Sequence, residues 1–379
     1  MIYLDQSATS LKKPAEVARA VYQALTGTLG NPARGAHQAA LEALKAVGRA
    51  RRSLADFFGV GPMDLAFTPN ATYALNIAIK GALSKKDRVL TTRLEHNSML
   101  RPLYEMQAQG MALDFVPLNK QGFYHWADVR SALRPDTTAI AVNAMSNVTG
   151  DIAPLPEIAE LCFKRDLLLI LDLSQYAGTR PLPVMKNHPR ALIAFTGHKS
   201  LYGPQGSGGL IRRGPVTLRP LITGGSGVLS FSHTHPDSFP EVCEAGTLNV
   251  PAILGLEAAV KWLTRQGLMH VQEQVDALRL QLMEGIQSIP HLKVYGAQRD
   301  AGPVAAFNIA GMDSGAVSQL LDEQYGIMTR PGAHCAPLWH EAMGTREQGA
   351  VRFSFSCFNT QEEIDMAIAA LRAIAKTAD

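Results

Sequence analysis

The segment LLLILDLSQ, residues 167–175, decides the fold, because an unbroken run of aliphatic side chains ends there in an aspartate. A strand without polar alternation is typical of a parallel sheet that helices cover on both faces. A carboxylate at the end of such a strand costs free energy unless a partner compensates for its burial. We therefore predict an α/β fold with Asp172 at the carboxyl edge of a large, mostly parallel sheet, where such folds bind ligands.

Apolar strands alternate with helical patterns on both sides of this segment, from about Leu65 to Arg213. This alternation is typical of βαβ units and supports the parallel sheet. The predicted strands are 65–68, 88–92, 112–117, 138–145, 167–173, 191–195 and 208–212, and the predicted helices are 71–83, 98–109 and 155–165.

After about Ala252 the pattern changes to two long helices followed by short strands, which predicts a smaller α+β domain. We expect an N-terminal segment associated with the small domain (1–15), a large domain (16–255) and the small C-terminal domain (256–379). The elements predicted for the small domain are helices 253–265, 269–289, 317–324 and 361–376, and strands 292–295, 305–309, 327–330 and 351–355.

Composition excludes several classes of protein. Of the 379 residues 46% are hydrophobic and 18% are charged, so the chain is not a solvating disordered one. Its net charge of +3 is too small for a protein that binds nucleic acid. No apolar run reaches the roughly 18 residues of a membrane span, and the N-terminus does not have the pattern of a signal peptide. Four cysteines without C-x-x-C spacing indicate a reducing, cytoplasmic location.

Two common nucleotide-binding motifs are absent. The glycines of residues 206–209 do not complete G-x-G-x-x-G, and residues 197–200 lack the glycine-rich lead of a Walker A motif. The sequence therefore disfavours NAD enzymes and P-loop NTPases.

Lys199 directly follows the predicted strand 191–195 in the loop Thr196-Gly197-His198-Lys199. Most loop lysines lie at the surface, but a partly desolvated one can be a Schiff-base nucleophile. Asp172 can likewise be a plain turn residue, or it can keep a pyridine nitrogen protonated and make the ring an electron sink. Because both residues follow strands of one sheet, we expect them to share a site.

The segment FTPNAT, residues 67–72, runs from a predicted strand into a predicted helix. The amides of Ala71 and Thr72 would form an anion trap at the helix N-terminus, although Asn70 or Thr68 as a plain N-cap explains the same residues. His96 follows the strand 88–92 and either stacks on a planar ring or is an ordinary loop histidine.

Taken together, these residues resemble the pyridoxal-phosphate enzymes of the class V aminotransferase family over essentially the whole chain. RPGAHCA, residues 330–336, resembles the active-cysteine segment of cysteine desulfurases, most closely the Suf-type, selenocysteine lyase-like group. Ala333 departs from that group, which often has a histidine there. Further matching segments are YLDQSAT (3–9), NVTG (147–150), EAGTLN (244–249), VRFS (351–354) and NT (359–360).

The resemblance implies pyridoxal phosphate fold type I (aspartate aminotransferase-like), with pyridoxal 5'-phosphate in the large cofactor-binding domain. Lys199 would bind the cofactor and move the α-proton, Asp172 would pair with the ring nitrogen, and His96 would stack on the ring and take part in catalysis. Gln175 would bond the phenolic oxygen, with Asn147 nearby. The residues implied for the phosphate are Ala71, Thr72, Thr196, His198 and, from the neighbouring subunit of a homodimer, Thr247.

The resemblance also implies the substrate chemistry. Arg352 would clamp the substrate carboxylate bidentately, with Arg330 and Asn147 in the same substrate site. Cys335, in the small domain, would take sulfur from L-cysteine, or selenium from selenocysteine, and release L-alanine. Arg330 would favour its thiolate. A sulfur-acceptor protein and iron–sulfur cluster assembly are the implied partner and pathway.

Alternatives to this interpretation remain open in the sequence. An aminotransferase or C–S β-lyase of the same fold would have an incidental Cys335, and a non-catalytic sulfur-relay subunit would bind cofactor weakly. Cys335 can also be a buried inert thiol, as we expect for Cys162 and Cys357. A zinc site at His334, Cys335 and His340 lacks a fourth ligand, so no metal is predicted.

Overall fold

The structure is a computed structural model that describes residues 1–32, 35–182, 189–297 and 301–377. Its strands are β1 (Ile2–Tyr3), β2 (Leu65–Thr68), β3 (Arg88–Thr92), β4 (Ala112–Val116), β5 (Ala139–Asn143), β6 (Leu168–Asp172), β7 (Ala191–Thr196), β8 (Gly208–Arg213), β9 (Leu292–Tyr295), β10 (Val304–Ile309), β11 (Ile327–Met328) and β12 (Val351–Ser354). Its α-helices are α1 (Ala15–Thr26), α2 (Gln38–Phe58), α3 (Ala71–Ala82), α4 (Asn97–Ala108), α5 (Trp126–Ala132), α6 (Leu155–Lys164), α7 (Val250–Gln266), α8 (Leu268–Ile286), α9 (Ser314–Tyr325), α10 (Pro337–Met343) and α11 (Gln361–Ala375).

Seven strands form the large sheet, in the order β2-β8-β7-β6-β5-β3-β4. The pairs β3–β4, β3–β5, β5–β6 and β6–β7 are parallel, and β8 runs antiparallel to both its neighbours. The predicted α/β fold with a mostly parallel sheet is therefore confirmed.

Strand β6 shows why an aliphatic run forms the centre of this sheet. All five of its residues are buried. Leu169 and Leu171 pack in a core with α2, α6 and α7, whereas Leu168 and Ile170 pack in a second core with α3 and α4. Since alternate side chains of a strand point to opposite faces, both faces must be apolar.

The small domain is built on the antiparallel sheet β12-β10-β9. Its core joins this sheet to α8, α9 and α11, and the rings of Phe307 and Phe353 meet edge to face with centroids 4.8 Å apart. Strand β1 pairs in parallel with β11, and Ile2 and Leu4 belong to the same core.

The packing of α7 bears on the domain boundary. Helix α7 packs on α1 and α2 of the large domain, whereas α8 packs on α11 of the small domain. The predicted boundary at residue 255 lies inside α7. We propose Gly267 instead, because it separates the two helices and has a φ of 80°, which favours glycine.

The strand predicted for 327–330 is shorter in the structure. Strand β11 ends at Met328, and Arg330 makes only an isolated antiparallel bridge with Arg352. The predicted strand included residues 329 and 330, whereas in the structure these residues lead into the loop that contains Cys335.

Replacing Ile170 with alanine tests the central role of β6. Ile170 is completely buried, so we expect Ile170→Ala to lower the free energy of unfolding by about 2–5 kcal/mol through lost burial and a residual cavity. Urea unfolding followed by circular dichroism measures this. Leu280→Ala, at a half-exposed position of α8, should change it by less than about 0.5 kcal/mol. Equal effects of the two substitutions would contradict the packing described for β6.

Candidate active site

A cavity of about 480 Å³, including its mouth, lies at the carboxyl edge of the large sheet. Strands β5, β6 and β7 end there in Asn143, Asp172 and Thr196. Nine residues predicted for the site line this cavity: Ala71, Thr72, His96, Asn147, Asp172, Gln175, Thr196, His198 and Lys199. Five other lining residues were not predicted for the site: Asn70, Ser98, Asn143, Met145 and Ser174.

Lys199 lies on the loop after β7. Burial lowers the pKa of its amine to about 8, with the charges of Arg352 and Arg330 acting in the same direction and that of Asp172 opposing them. A lysine with such a pKa has a substantial neutral fraction near neutral pH, which is what a nucleophilic amine requires. Gly178 packs so closely against this loop that a Cβ at position 178 would overlap the carbonyl oxygen of Ser200.

Asp172 is held by the residue that follows its strand. Its Oδ1 accepts hydrogen bonds from the backbone amide of Ser174, at 2.8 Å, and from the Ser174 hydroxyl. Burial raises the pKa of Asp172, whereas these hydrogen bonds and the Lys199 charge lower it. A cation placed beside this carboxylate would stabilise its charged form further.

Glu95 is a second buried carboxyl group at this edge, and it was not predicted from the sequence. The side chain is inaccessible to solvent, and it accepts hydrogen bonds from the Thr92 hydroxyl (2.7 Å) and the Asn143 amide (2.8 Å). Burial, together with the charge of the nearby Asp172, raises the pKa of Glu95 to about 8, although its hydrogen bonds to Thr92 and Asn143 act in the opposite direction. The available signal was a charged residue beside His96 after an apolar strand, the same signal that identified Asp172.

The N-terminus of α3 forms one end of the cavity. Asn70 caps this helix by accepting a hydrogen bond from the Tyr73 amide at 2.9 Å. Ala71 and Thr72 occupy the first turn, whose amides have no acceptor within the helix. The Thr196 hydroxyl is buried and has no hydrogen-bond partner in the structure. Together these donors fit a phosphate group.

His96 and Gln175 are each fixed by hydrogen bonds. His96 caps α4, and its Nδ1 accepts from the Ser98 amide at 3.0 Å. Burial, helped by the Lys199 charge, lowers the pKa of His96 to about 3, so its imidazole is neutral. The Gln175 side-chain amide donates to the carbonyl oxygen of Ser7 at 3.1 Å.

The residues around the cavity fit pyridoxal phosphate. A nucleophilic amine, a buried carboxylate, a neutral imidazole and an anion-binding end match its aldehyde, ring nitrogen, ring face and phosphate. The unpartnered Thr196 hydroxyl supports the assignment of the phosphate end, since buried hydroxyl groups normally have a partner.

Arg352 lies behind Asn147, outside the lining of the cavity. Its guanidinium is 3% exposed and donates to the Asn147 carbonyl oxygen (3.0 Å) and to the Asp5 carboxylate (2.6 Å). The Nε of Arg352 and the Oδ1 of Asn147 are buried and have no hydrogen-bond partner. Arg330, its neighbour in the backbone bridge, has an exposed side chain.

Cys335 lies on the loop between β11 and α10 and is exposed. Two hydrogen bonds of 2.7 Å hold this loop against the cavity. The Asn97 backbone amide donates to the Cys335 carbonyl oxygen, and the Asn147 side-chain amide donates to the His334 carbonyl oxygen. His334 and Cys335 adopt left-handed conformations with φ of 48° and 56°. Burial lowers the pKa of His334 to about 3, so its imidazole is neutral.

The remaining cysteines differ from Cys335 in burial. Cys162 and Cys243 are buried, and burial raises the pKa of each thiol to about 12. Cys357 is half-buried against Tyr202, and burial raises its pKa as well. Since the structure describes all four cysteines, Cys335 is the one exposed thiol of the chain.

Thr247 does not lie in the active-site cavity. It lines a separate cavity with Arg51, Glu244 and the segment 225–228. Arg51 forms two hydrogen bonds to the Glu244 carboxylate, at 2.7 and 2.8 Å, which fix this segment. The structure therefore separates Thr247 from the phosphate end of its own chain.

Two kinds of feature are not found in the part of the chain that the structure describes. None of its helices combines the length and the apolar character of a membrane span. No group of three or more His, Cys, Asp or Glu side chains is arranged to hold a metal ion.

Comparison with known proteins agrees with the sequence resemblance. The chain is 30% identical over 375 residues to a probable cysteine desulfurase of Methanothermobacter thermautotrophicus, covering 96% of this chain and 92% of that protein. It is also 30% identical over 399 residues to the cysteine desulfurase IscS of Vibrio campbellii, covering 100% and 94% of the two chains.

Solved structures of cysteine desulfurases have the same fold. The apo enzyme of Thermococcus onnurineus superposes with a TM-score of 0.91 at 28% identity, covering 99% of this chain and 95% of that one. CsdA of Escherichia coli gives 0.85 at 26% identity, covering 99% and 94%. The family model described as Aminotransferase class-V matches residues 2–366. The protein therefore belongs to the class V aminotransferase family.

Proposed function

We propose that the protein is a pyridoxal-phosphate-dependent cysteine desulfurase that converts L-cysteine to L-alanine and takes the sulfur onto Cys335. The observation that carries this proposal is the position of Cys335. The one exposed thiol of the chain lies on a loop bonded to Asn97, beside His96, and to Asn147 of the cavity that contains Lys199 and Asp172. The names of the relatives support it.

Lys199 and Asp172 prepare the substrate for sulfur transfer. The Lys199 amine, neutral in substantial fraction near neutral pH, binds the cofactor and later accepts the α-proton of the substrate. The Asp172 carboxylate stabilises a protonated ring nitrogen. Pyridoxal phosphate, when bound, supplies an electron sink for the negative charge left at Cα.

Cys335 then attacks the sulfur of the substrate as a thiolate. A sulfur–sulfur bond forms while the carbon–sulfur bond breaks, and the bonding pair stays on the β-carbon, which takes a proton. Lys199 then returns a proton to Cα. L-Alanine leaves, and Cys335 carries the transferred sulfur as a persulfide. Selenocysteine can undergo the same step, because selenium occupies the same position in that amino acid.

Arg352 and Asn147 hold the substrate carboxylate in this scheme. The buried, unpartnered Nε of Arg352 and its hydrogen bond to Asn147, which lines the cavity, favour a carboxylate bound beside Asn147. His96 would stack on the cofactor ring, where its neutral imidazole would add no charge. Arg330, which has an exposed side chain, stays a predicted residue of the substrate site.

A homodimer accounts for the position of Thr247. The segment beside its cavity exposes Val228 (42%), Leu229 (64%) and Phe231 (101%), an apolar surface that a second subunit would cover. In such a dimer Thr247 reaches the phosphate of the neighbouring site.

The exposed Cys335 also favours delivery of sulfur to an acceptor protein, and we place the enzyme in iron–sulfur cluster assembly. All four thiols are free, which favours the reducing cytoplasm. The Suf-type assignment stays a prediction from the cysteine segment.

Desulfuration is tested by incubating the purified protein with L-cysteine and a reducing thiol while alanine and sulfide are measured together. We expect the two products in equal amounts. Lys199→Ala should abolish both, because the amine is lost. Cys335→Ala should also abolish both, at least 100-fold, because the sulfur has no acceptor.

Cys357→Ala is the matched control for loss of a thiol and should keep most of the activity. Formation of pyruvate, or activity unchanged by Cys335→Ala, would overturn the desulfurase proposal in favour of a C–S β-lyase or an aminotransferase.

The pKa of Lys199 predicts how cofactor capture depends on pH. Only the neutral amine attacks the aldehyde, so the capture rate of the apoprotein should rise with pH and level off above about 8. The development of yellow absorbance measures this rate. Pyridoxine phosphate, which lacks the aldehyde, should bind without this rise. A midpoint near 10.5, the ordinary lysine value, would contradict the assignment.

Phe231→Asp tests the homodimer. A charge in the centre of the apolar segment should shift the protein from dimer to monomer in sedimentation velocity and lower its cofactor content, since Thr247 would lose its site. Leu280→Asp, a similar change on the exposed face of α8, should leave the mass unchanged. A Phe231→Asp protein with the same mass as the wild type would count against this interface.

A further inference from the structure

The segment of residues 3–10, which we name the N-terminal strap, connects the small domain to the cofactor loops. At one end the Leu4 amide donates to Met328 (2.9 Å), and Leu4 accepts from the Ser354 amide (2.7 Å). At the other end the Ser10 amide donates to the His198 carbonyl oxygen at 2.9 Å. The strap therefore contacts the substrate end and the phosphate end of the active site.

Asp5 is the residue of this strap that lies against Arg352. The Asp5 Oδ1 is 2.6 Å from the Arg352 Nη2, and their side chains are 18% and 3% exposed. Tyr3 is also near this pair, and Asp5 and Arg352 both affect its pKa. A pair so far removed from water interacts more strongly than a surface ion pair.

Two of the three nitrogen atoms of the Arg352 guanidinium donate hydrogen bonds, and the third, Nε, does not. Nη2 donates to Asp5 and Nη1 donates to the Asn147 carbonyl oxygen, which fixes the plane of the group. Nε is buried and has no partner. A substrate carboxylate at Nε therefore meets an arginine that is already oriented and already paired with one negative charge.

L-Cysteine and L-alanine carry the same α-carboxylate and ammonium groups. Affinity for these shared groups holds the product as firmly as the substrate and does not raise kcat. A counter-ion beside Arg352 keeps the arginine in position and weakens its attraction for any carboxylate, because the two negative charges repel each other.

We propose that Asp5 is a positioning residue that orients Arg352 for the substrate carboxylate and, through its own negative charge, limits the affinity of the site for that carboxylate. This inference rests on the proposed function, in which Arg352 binds the substrate. Its consequence is ready release of L-alanine.

The test is calorimetric titration of the cofactor-loaded protein with L-alanine. Asp5→Asn keeps an acceptor of the same shape for Arg352 and removes the charge. We expect it to bind L-alanine roughly three- to tenfold more tightly than the wild type, with a lower KM for L-cysteine and kcat within about twofold. Asp5→Ala removes the acceptor as well, so its KM should exceed that of Asp5→Asn severalfold.

Two controls separate this role from a structural one. Glu16→Gln removes a carboxylate of the N-terminal helix that pairs with Arg265 at 2.9 Å far from the cavity, and it should bind L-alanine like the wild type. L-Alaninamide, which lacks the carboxylate, should bind equally to the wild type and Asp5→Asn. Unchanged or weaker binding of L-alanine by Asp5→Asn would overturn the proposal, as would a wild type that does not bind L-alanine.

Asp5→Ser gives the same comparison if Asp5→Asn does not fold, since it also retains a polar group without charge. The titrations can be made in the Cys335→Ala background, where desulfuration does not contribute. A wild type that binds L-alanine but produces none from L-cysteine would refute the proposed function while leaving the role of Asp5 to be decided by the titration.

Discussion

Burial of charge at the carboxyl edge of the large sheet is the constraint on which the rest of the site depends. Glu95, Asp172, Lys199 and Arg352 are all largely removed from water, and each must find a partner or change its protonation. Asp172 and Glu95 accept hydrogen bonds at this edge, and burial shifts the pKa of both, as it does that of Lys199. The same desolvation that opposes folding here makes the lysine amine nucleophilic.

The candidate active site is formed by residues of both domains. The sheet edge and the helix N-terminus of the large domain provide the cofactor residues, because parallel strands bring their polar ends together. The small domain contributes Cys335 and Arg352, and hydrogen bonds to Asn97 and Asn147 of the large domain fix both. Cys335 and Arg352, the proposed sulfur acceptor and carboxylate-binding residue, are therefore positioned by contacts with Asn97 and Asn147 rather than within either core.

The buried aliphatic strands could be predicted from the sequence, whereas several of the helices were not. Strand β2, which is fully buried, has the predicted bounds, and β6 differs by one residue at each end. Helices α1 and α2 were not predicted, although both are strongly amphipathic and the buried side of α2 includes Val47, Leu54 and Phe58. The short helices α5 and α10 span only seven residues each, too few for a clear period.

Some residues of the candidate site could be predicted from the sequence, and others could not. Lys199 and Asp172 could be found because each follows an apolar strand, and Cys335 because its segment resembles a family motif. Asp5 could not be found, since its partner Arg352 is 347 positions away and only the tertiary structure brings them together.

The separation of Asp5 from Arg352 along the chain also sets the order in which the parts of the site are synthesised. At about 5–20 residues per second, the first residues wait roughly 20–70 seconds for the strands that hold them. The large sheet is translated by residue 213, so it can form before the pairing of Asp5 with Arg352, which requires β12.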